Sequence, residues 1–306
     1  MKVLTYKKFK DEIISRLKEY YGDSAEIDVI KVLKNNSKKM EAINIVFEGI
    51  VNQTIPLLYL ENYYESYKQG ELTIAQAVDK IITIRGNVID DDPVVEDMNK
   101  LMSSWDRVKE LIYPQVINTA DNQELLNDLV SYEFLDLSVI FVVYSSIYDD
   151  GVGCIKITKE LFNHYGITID ELKEQALKNL KKENYHFESM NDVISRLMGI
   201  DNTQSEDNTE DFIPGNMYVL TNDKGLFGAA GLLCEDLLRE RLQDKSTVII
   251  PSSIHELIFF PLTPDIKLDD ITETIRSVNE CAVKLQDRLS DHAYLYDGSI
   301  HKVISA

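Results

Sequence analysis

Cysteine is scarce in this chain and poorly placed for chemistry: Cys154, Cys234 and Cys281 are spread widely, odd in number, and form no CxxC pair. That excludes a disulfide framework and offers neither zinc nor dithiol spacing, so reduced, buried thiols are expected. Long apolar runs are missing as well. The longest, around Leu137–Val143, falls far short of the roughly 20 residues a membrane-spanning helix needs and reads as a buried strand. The opening residues Met1-Lys2-Val3-Leu4-Thr5 pass directly into Lys7, Lys8, Lys10, Asp11 and Glu12, which leaves no room for the apolar stretch of a secretory signal. The expectation is a cytoplasmic protein without a membrane segment.

The recurrent site motifs are absent too. Gly151-Val152-Gly153 lacks the third glycine and the ensuing helix of a dinucleotide fingerprint, and no GxxxxGK[ST] occurs. The five histidines, His164, His186, His255, His292 and His301, are scattered, with no HExxH or EF-hand spacing beside them. Asp90-Asp91-Asp92 and Asp149-Asp150 could face a hard cation, but adjacent acids in loops serve first as turns and caps. No cofactor and no metal are expected, and no fixed-period repeat is present.

What the chain has in excess is negative charge: 32 Lys and Arg stand against 52 Asp and Glu, a net charge of −20. Such a surface repels a phosphate backbone, so direct nucleic-acid binding is not expected. The charge is uneven. Residues 1–40 hold ten basic and six acidic side chains, leaving −24 for everything after Met40. Lys7, Lys8, Lys10 and Lys18 read as the solvated face of an amphipathic helix, with a local anion or partner patch as the sharper alternative.

Periodicity supplies the elements. Phe9, Ile13 and Leu17 predict a helix over 5–21, and the alternations around Ile27, Val29, Ile43, Ile45 and Phe47 predict a hairpin turning at Asn35-Asn36-Ser37. A helix rich in tyrosine follows Pro56 and closes at Gly70. Thr73 and Gln76 then box the start of a helix expected to stop at Gly86. Asn87–Asp92 reads as a linker, with Asp92 an N-cap before Pro93. Ser138–Tyr144 predicts a central strand, turned by Asp149-Asp150-Gly151 into a second over Val152–Ile157. Thr168 with Glu171, and Ser189 with Asp192, cap two helices. Residues 201–215 are acidic, without Lys or Arg, and read as a loop. Strands are expected at Met217–Leu220, Ala229–Leu233, Thr247–Ile250 and Leu257–Phe260. A long helix through Ile271 to Leu285 and a hairpin at Asp297-Gly298 complete the chain. Strands and helices cluster without a βαβ rhythm, so the fold class is α+β with largely antiparallel sheets, in two modules: a basic α-β-β-α-α module over 1–89 and an acidic body over 90–306.

Three segments carry a resemblance. Ile55-Pro56-Leu57-Leu58-Tyr59-Leu60-Glu61-Asn62-Tyr63-Tyr64, Ile157-Thr158-Lys159-Glu160-Leu161 and Pro251-Ser252-Ser253-Ile254-His255-Glu256 together resemble an uncharacterised bacterial family, the domain of unknown function 5688. The resemblance implies a bacterial, intracellular protein built as one composite unit. It lends no residue a role.

Two candidate sites remain. Ser253, His255 and Glu256 put a hydroxyl, an imidazole and a carboxylate just beyond a buried strand, the chemistry of a nucleophile and its base, although no GxSxG elbow surrounds them. The alternative is a turn whose hydroxyls satisfy backbone groups. Tyr59, Tyr63 and Tyr67 fall at helical spacing with Asn62 beside them, a pattern that serves binding surfaces but equally core packing, which is favoured here. The leading expectation is a non-enzymatic intracellular interaction or regulatory protein whose partner is another protein. The alternatives are an unrecognised hydrolase and an acidic decoy for a nucleic-acid-binding partner.

Overall fold

Phe9, Ile13 and Leu17 share one face of helix α1 (Tyr6–Tyr21), and all three are fully buried. They cover an antiparallel hairpin of β1 (Ala25–Leu33) and β2 (Lys39–Phe47), whose register sets Ile27 opposite Ile45 and Val29 opposite Ile43. That register follows from the alternation, because a slip of one residue would turn every apolar side chain to the other face. A two-residue strand, β3 (Leu58–Tyr59), pairs with β2 and runs at once into α2 (Leu60–Gln69). Where this ladder ends, the Glu61 side chain takes over: the Glu41 N–H donates to Glu61 Oε1 at 2.8 Å. Gly70 closes α2 in the left-handed region, φ 78°, as expected for a glycine C-cap.

The computed structural model describes residues 3–47, 57–89, 100–148, 151–199 and 216–306. Helix α3 (Ile74–Ile89) starts on the expected box, with the Gln76 N–H donating to Thr73 Oγ1 and the Thr73 N–H to Gln76 Oε1. It does not stop at Gly86. Arg85, 2% exposed, donates to the Ile45 carbonyl and lies 5.3 Å from the Phe47 ring centre. This tie anchors the last turns and outweighs the modest cost of a helical glycine.

After a short helix α4 (Trp105–Val108), β4 (Ile112–Asn118), helix α5 (Gln123–Leu126), β5 (Ser131–Phe134) and β6 (Leu137–Tyr148) follow, and the sheet order is β4-β6-β5. β7 (Gly151–Lys156) also pairs with β6. Leu137–Val143 is buried at every residue, as a central strand requires. Pro114 escaped reading as a strand residue, and it is tolerated because β4 is the edge of this order.

Helices α6 (Lys159–Tyr165) and α7 (Ile169–Leu180) come next, the second on a full capping box of Thr168 and Glu171. β8 (Tyr185–Ser189) leads into α8 (Met190–Leu197), whose N-cap Ser189 accepts from the Asp192 N–H. With β9 (Tyr218–Asn222), helix α9 (Glu235–Leu242), β10 (Thr247–Ile250), β11 (Leu257–Pro261), helix α10 (Leu268–Cys281), β12 (Tyr294–Asp297) and β13 (Lys302–Ser305), a six-stranded sheet of order β13-β12-β10-β11-β9-β8 forms. Its pairings are antiparallel, and the fold is α+β. Tyr218, Tyr294, Tyr296, Phe259 and Ile249 form the centre of its core.

Some expectations need correction. Gly228–Leu233 is a 3-10 helix rather than a strand, and its residues are buried without alternation from Gly228 to Leu232. A Cβ on Gly228 would run into the His255 carbonyl oxygen, so the segment packs through its backbone. α10 ends at Cys281, and Leu285 belongs to a separate 3-10 turn. The expected cap at Asp92, the acidic stretch 201–215, the aspartates of the Asp149-Asp150-Gly151 turn and the module boundary at residue 90 lie outside the described residues. By internal contacts the chain divides into two compact units. Met1–Lys34, Lys38–Val108 and Tyr144–Ile155 make the first; Asn35–Ser37, Lys109–Val143 and Lys156–Ala306 make the second.

Carboxamides satisfy several stretches of irregular backbone in the second unit. Asn36, 4% exposed at φ 55°, donates through Nδ2 to the carbonyls of Leu285 and Arg288, each at 2.7 Å. Its N–H and Oδ1 exchange bonds with the Asn122 side chain at 2.7 and 2.8 Å. Asn179 reaches the carbonyls of Lys109 and Ile112, Asn279 that of Ser290, and Asn118 that of Leu289. Asn36→Ala strands the Arg288 carbonyl, leaves the Leu285 carbonyl to the long 3.4 Å bond from the Arg288 N–H, and breaks the Asn122 exchange, and is expected to cost about 2–4 kcal/mol in urea unfolding.

In the first unit, Lys10 Nζ lies 2.8 Å from Glu41 Oε2, and the Tyr6 hydroxyl donates to the same oxygen at 2.9 Å. The Lys10 hydrogen bond holds the Glu41 carboxyl below its usual range, against the opposing effect of burial, and Tyr6 adds to it. A depressed folded value stabilises above the unfolded carboxylate range near pH ~4.3 and is lost as pH falls through the folded value. Glu41→Gln should therefore be less stable than the parent at pH 7, and the gap should close on acidification, read by urea unfolding across pH.

Candidate functional site

The segment after β10 is built by chain reversal at Pro251 and by hydrogen bonds that reach back to the 3-10 helix at Gly228. Ile254 is buried in the core of the six-stranded sheet, and its N–H donates to the Asp287 carbonyl at 2.8 Å while its own carbonyl accepts from Ala229. This fixes where the neighbouring polar side chains can go. The His255 N–H donates to Ser253 Oγ at 3.0 Å, and Ser252 Oγ donates to Glu256 Oε1 at 3.1 Å.

The imidazole of His255 turns away from both serines. The Phe227 N–H donates to its Nδ1 at 3.1 Å, so that nitrogen carries the lone pair and the ring proton sits on Nε2, 3.5 Å from Asp287 Oδ1. The Thr221 hydroxyl donates to the His255 carbonyl at 3.1 Å. Phe227, at φ 56°, holds left-handed backbone that few side chains adopt, and its ring lies 5.5 Å from the imidazole. The structure thus brings Ser253, His255 and Glu256 into one turn but not into a relay. Ser253 bonds to the backbone of His255, Glu256 to Ser252, and the ring to the Phe227 N–H, with Asp287 3.5 Å from its other nitrogen. A serine nucleophile needs the base nitrogen on its own hydroxyl. As drawn, this network positions a turn.

The tyrosine helix is also resolved residue by residue. Tyr59 is not helical; it belongs to β3, so the helical stripe begins one residue later, with Leu60. Tyr67 is 5% exposed, and its hydroxyl accepts from the Leu4 N–H at 3.2 Å, while the Tyr64 hydroxyl donates to the Leu4 carbonyl at 3.0 Å. Two phenols therefore hold both ends of one residue's backbone. Tyr63 packs at the margin of the first unit's core, and Asn62 is exposed. Tyr59 lies beneath the Lys34 ammonium, 4.1 Å from ring centre to Nζ.

Spacing along the chain gave no sign of a further set of contacts. In the second unit four histidines each face an aspartate: His186 with Asp223, His255 with Asp287, His292 with Asp136, and His301 with Asp244. Asp136 accepts from the Tyr294 hydroxyl at 2.8 Å and sits 2.9 Å from His292 Nε2. Burial pushes the Tyr294 phenol up, so it remains a donor. The His186 hydrogen bond, helped by Asn184, holds the exposed Asp223 carboxyl below its usual range. Partners 156 positions apart, as Asp136 and His292 are, leave no local pattern. Only the alternation of Tyr294 and Tyr296 could have marked their strand as inward-facing. Among the described residues, no group of three or more His, Cys, Asp or Glu side chains could hold a metal ion.

Compared with known proteins, residues 6–298 match the family of unknown function DUF5688. No curated protein and no solved structure matches the chain. His255→Ala removes the acceptor of the Phe227 N–H and should lower stability by about 1–3 kcal/mol. Gly228→Ala should also destabilise, by forcing the His255 carbonyl aside; thermal unfolding of both variants checks this.

Proposed function

Because the chain belongs to DUF5688, a family described as of unknown function, its role has to be argued from its own residues, and we propose a non-enzymatic bacterial interaction protein of the cytoplasm that docks a basic partner protein on α8. One observation carries the reading. Along α8 and its continuation, Ile194, Leu197 and Met198 are 41%, 81% and 70% exposed, and Met217, whose carbonyl accepts from the Met190 N–H, is 47% exposed. Residues 194, 197 and 198 share one helical face by their spacing of three and four. No residue of α8 is buried, so the helix does not use its apolar face for the core. Grouped exposed side chains of this size are a feature of protein-binding surfaces, and methionine adapts readily to a partner.

Charge selects the partner's chemistry. A chain of net −20 draws a cationic partner by long-range attraction and repels an anionic one. The acidic-decoy reading is a special case of this, in which the basic partner is one that otherwise binds nucleic acid. The hydrolase reading through Ser253, His255 and Glu256 gains less support, because each of those side chains is engaged elsewhere.

Capture from a bacterial lysate at low and high salt, with the parent beside a Leu197→Asp, Met198→Ser double variant, tests the proposal. The expected result is a basic protein retained by the parent, weakened at high salt, and lost from the double variant while its thermal midpoint is unchanged. Equal capture by parent and variant would sink the α8 assignment. An acidic or salt-insensitive partner would sink the charge argument, and turnover of an ester or peptide substrate that Ser253→Ala abolishes would return the hydrolase.

A further inference from the structure

The turn between β5 and β6 is two residues long, Leu135 and Asp136, because Phe134 pairs with Leu137 across it. Leu135 sits at φ 56°, in the left-handed region that favours glycine, and its side chain is exposed. Neither a local preference nor core packing of Leu135 accounts for that backbone. Asp136 supplies the hold. One of its carboxylate oxygens accepts from the Tyr294 hydroxyl of β12 at 2.8 Å, and the other lies 2.9 Å from His292 Nε2. Burial pushes the Tyr294 phenol up, so this donor keeps its proton through the neutral range. Among the described residues, His292 is the cationic group that Asp136 meets.

The second ring nitrogen decides how many protons the imidazole needs. His292 Nδ1 lies 2.8 Å from the Ala293 carbonyl oxygen, which can only accept, as can an ionised carboxylate. Both nitrogens therefore require a hydrogen, and the imidazolium alone has two. His255 shows the contrast: the Phe227 N–H donates to its Nδ1, so that ring holds a single proton. The titratable groups around His292 are Asp136 from the β5–β6 turn, Tyr294 from β12, and on its own stretch Asp291, whose carboxylate accepts from the Asn279 amide of α10. The His292 N–H is engaged as well, donating to Ser290 Oγ at 3.3 Å. All of these residues belong to the second unit.

We propose that His292 and Asp136 form a pH-operated clasp on the β5–β6 turn, closed while the imidazole carries both protons and opened when it loses one. With one proton left, the ring can serve Asp136 or the Ala293 carbonyl but not both, and a lone pair is set against an oxygen. Tyr294 then holds the turn alone, and Leu135 is free to leave its left-handed backbone. A proton that the folded chain binds more tightly than the unfolded one stabilises in acid. The clasp therefore contributes on the acid side of the imidazole range, near pH ~6.5 in an unfolded chain, and is lost as pH rises and the ring proton leaves. At the far acid end it is lost again when Asp136 takes up a proton. The device is separate from the α8 surface and from the Ser253–Glu256 turn.

Urea unfolding of the full chain at about pH 5.5 and about pH 8.5, on either side of the imidazole range, tests the clasp with His292→Gln, Asp136→Asn and the double variant. The parent should unfold at higher urea than His292→Gln in acid, and that lead should vanish in alkali. In the Asp136→Asn background the lead should be absent at both. Equal leads at the two pH values, no lead at either, or an acid lead that persists with Asp136→Asn overturns the proposal. Nitrogen-15 spectra of the parent's imidazoles decide without any variant. At the acid pH both His292 nitrogens should be protonated, with both N–H protons protected from exchange by their hydrogen bonds; a single protonated nitrogen, or two unprotected ones, overturns it.

Discussion

Every buried carbonyl oxygen must find a donor, and in the second unit of this protein asparagine side chains meet that requirement at several points where backbone ladders do not reach. Sheets and helices satisfy their own backbone, but the connections between them do not. Here the stretch from Leu285 to Ser290 is irregular and runs beside buried side chains, and its carbonyls are met by Asn35, Asn36, Asn118 and Asn279. Asn179 does the same for the approach to β4. A carboxamide offers two donors and an acceptor on a short stem, so it can bridge two strands of chain that no ladder joins. The stretch between α10 and β12 is held in part by these bonds.

The same economy shapes the candidate sites. The His255 imidazole receives a backbone N–H on one nitrogen and faces Asp287 with the other, which leaves it a positioning group for the turn. The tyrosines of α2 spend their hydroxyls on the backbone of Leu4. Polar chemistry in this protein is largely turned inward. That inward use makes one exception informative: the apolar side chains that α8 leaves in solvent.

Local signals in the sequence were read well because they act over a few residues. The three-and-four spacing of Phe9, Ile13 and Leu17, the Thr168 and Glu171 box, and the unbroken apolar run into β6 each fix backbone geometry through neighbours. Gly70 closed its helix as a C-cap; Gly86 did not, since the Arg85 contact to Ile45 is a tertiary fact that no local rule contains. The 3-10 helix at Gly228 was missed because small, uniformly buried residues carry no period at all. Serine, histidine and glutamate side by side in sequence suggested a relay. A hydrogen bond from Phe227 and the nearby carboxylate of Asp287, both distant in the chain, decided the ring's direction instead. Convergence of Asp136 with His292 and Tyr294 belongs to the same class, legible only in three dimensions.

The Asn36–Asn122 exchange has a counterpart in chemical ageing. Replacing one carboxamide nitrogen by oxygen changes the shape of a side chain hardly at all, yet it turns two donors into an acceptor bearing charge. At Asn36, where Nδ2 serves two carbonyl oxygens, that single-atom change would set like partial charges against each other inside a buried site. Deamidation makes this exchange spontaneously in old protein molecules, with a rearranged backbone as its other product. Deamidation at Asn36 would thus cost the second unit more than the same change at an exposed side chain.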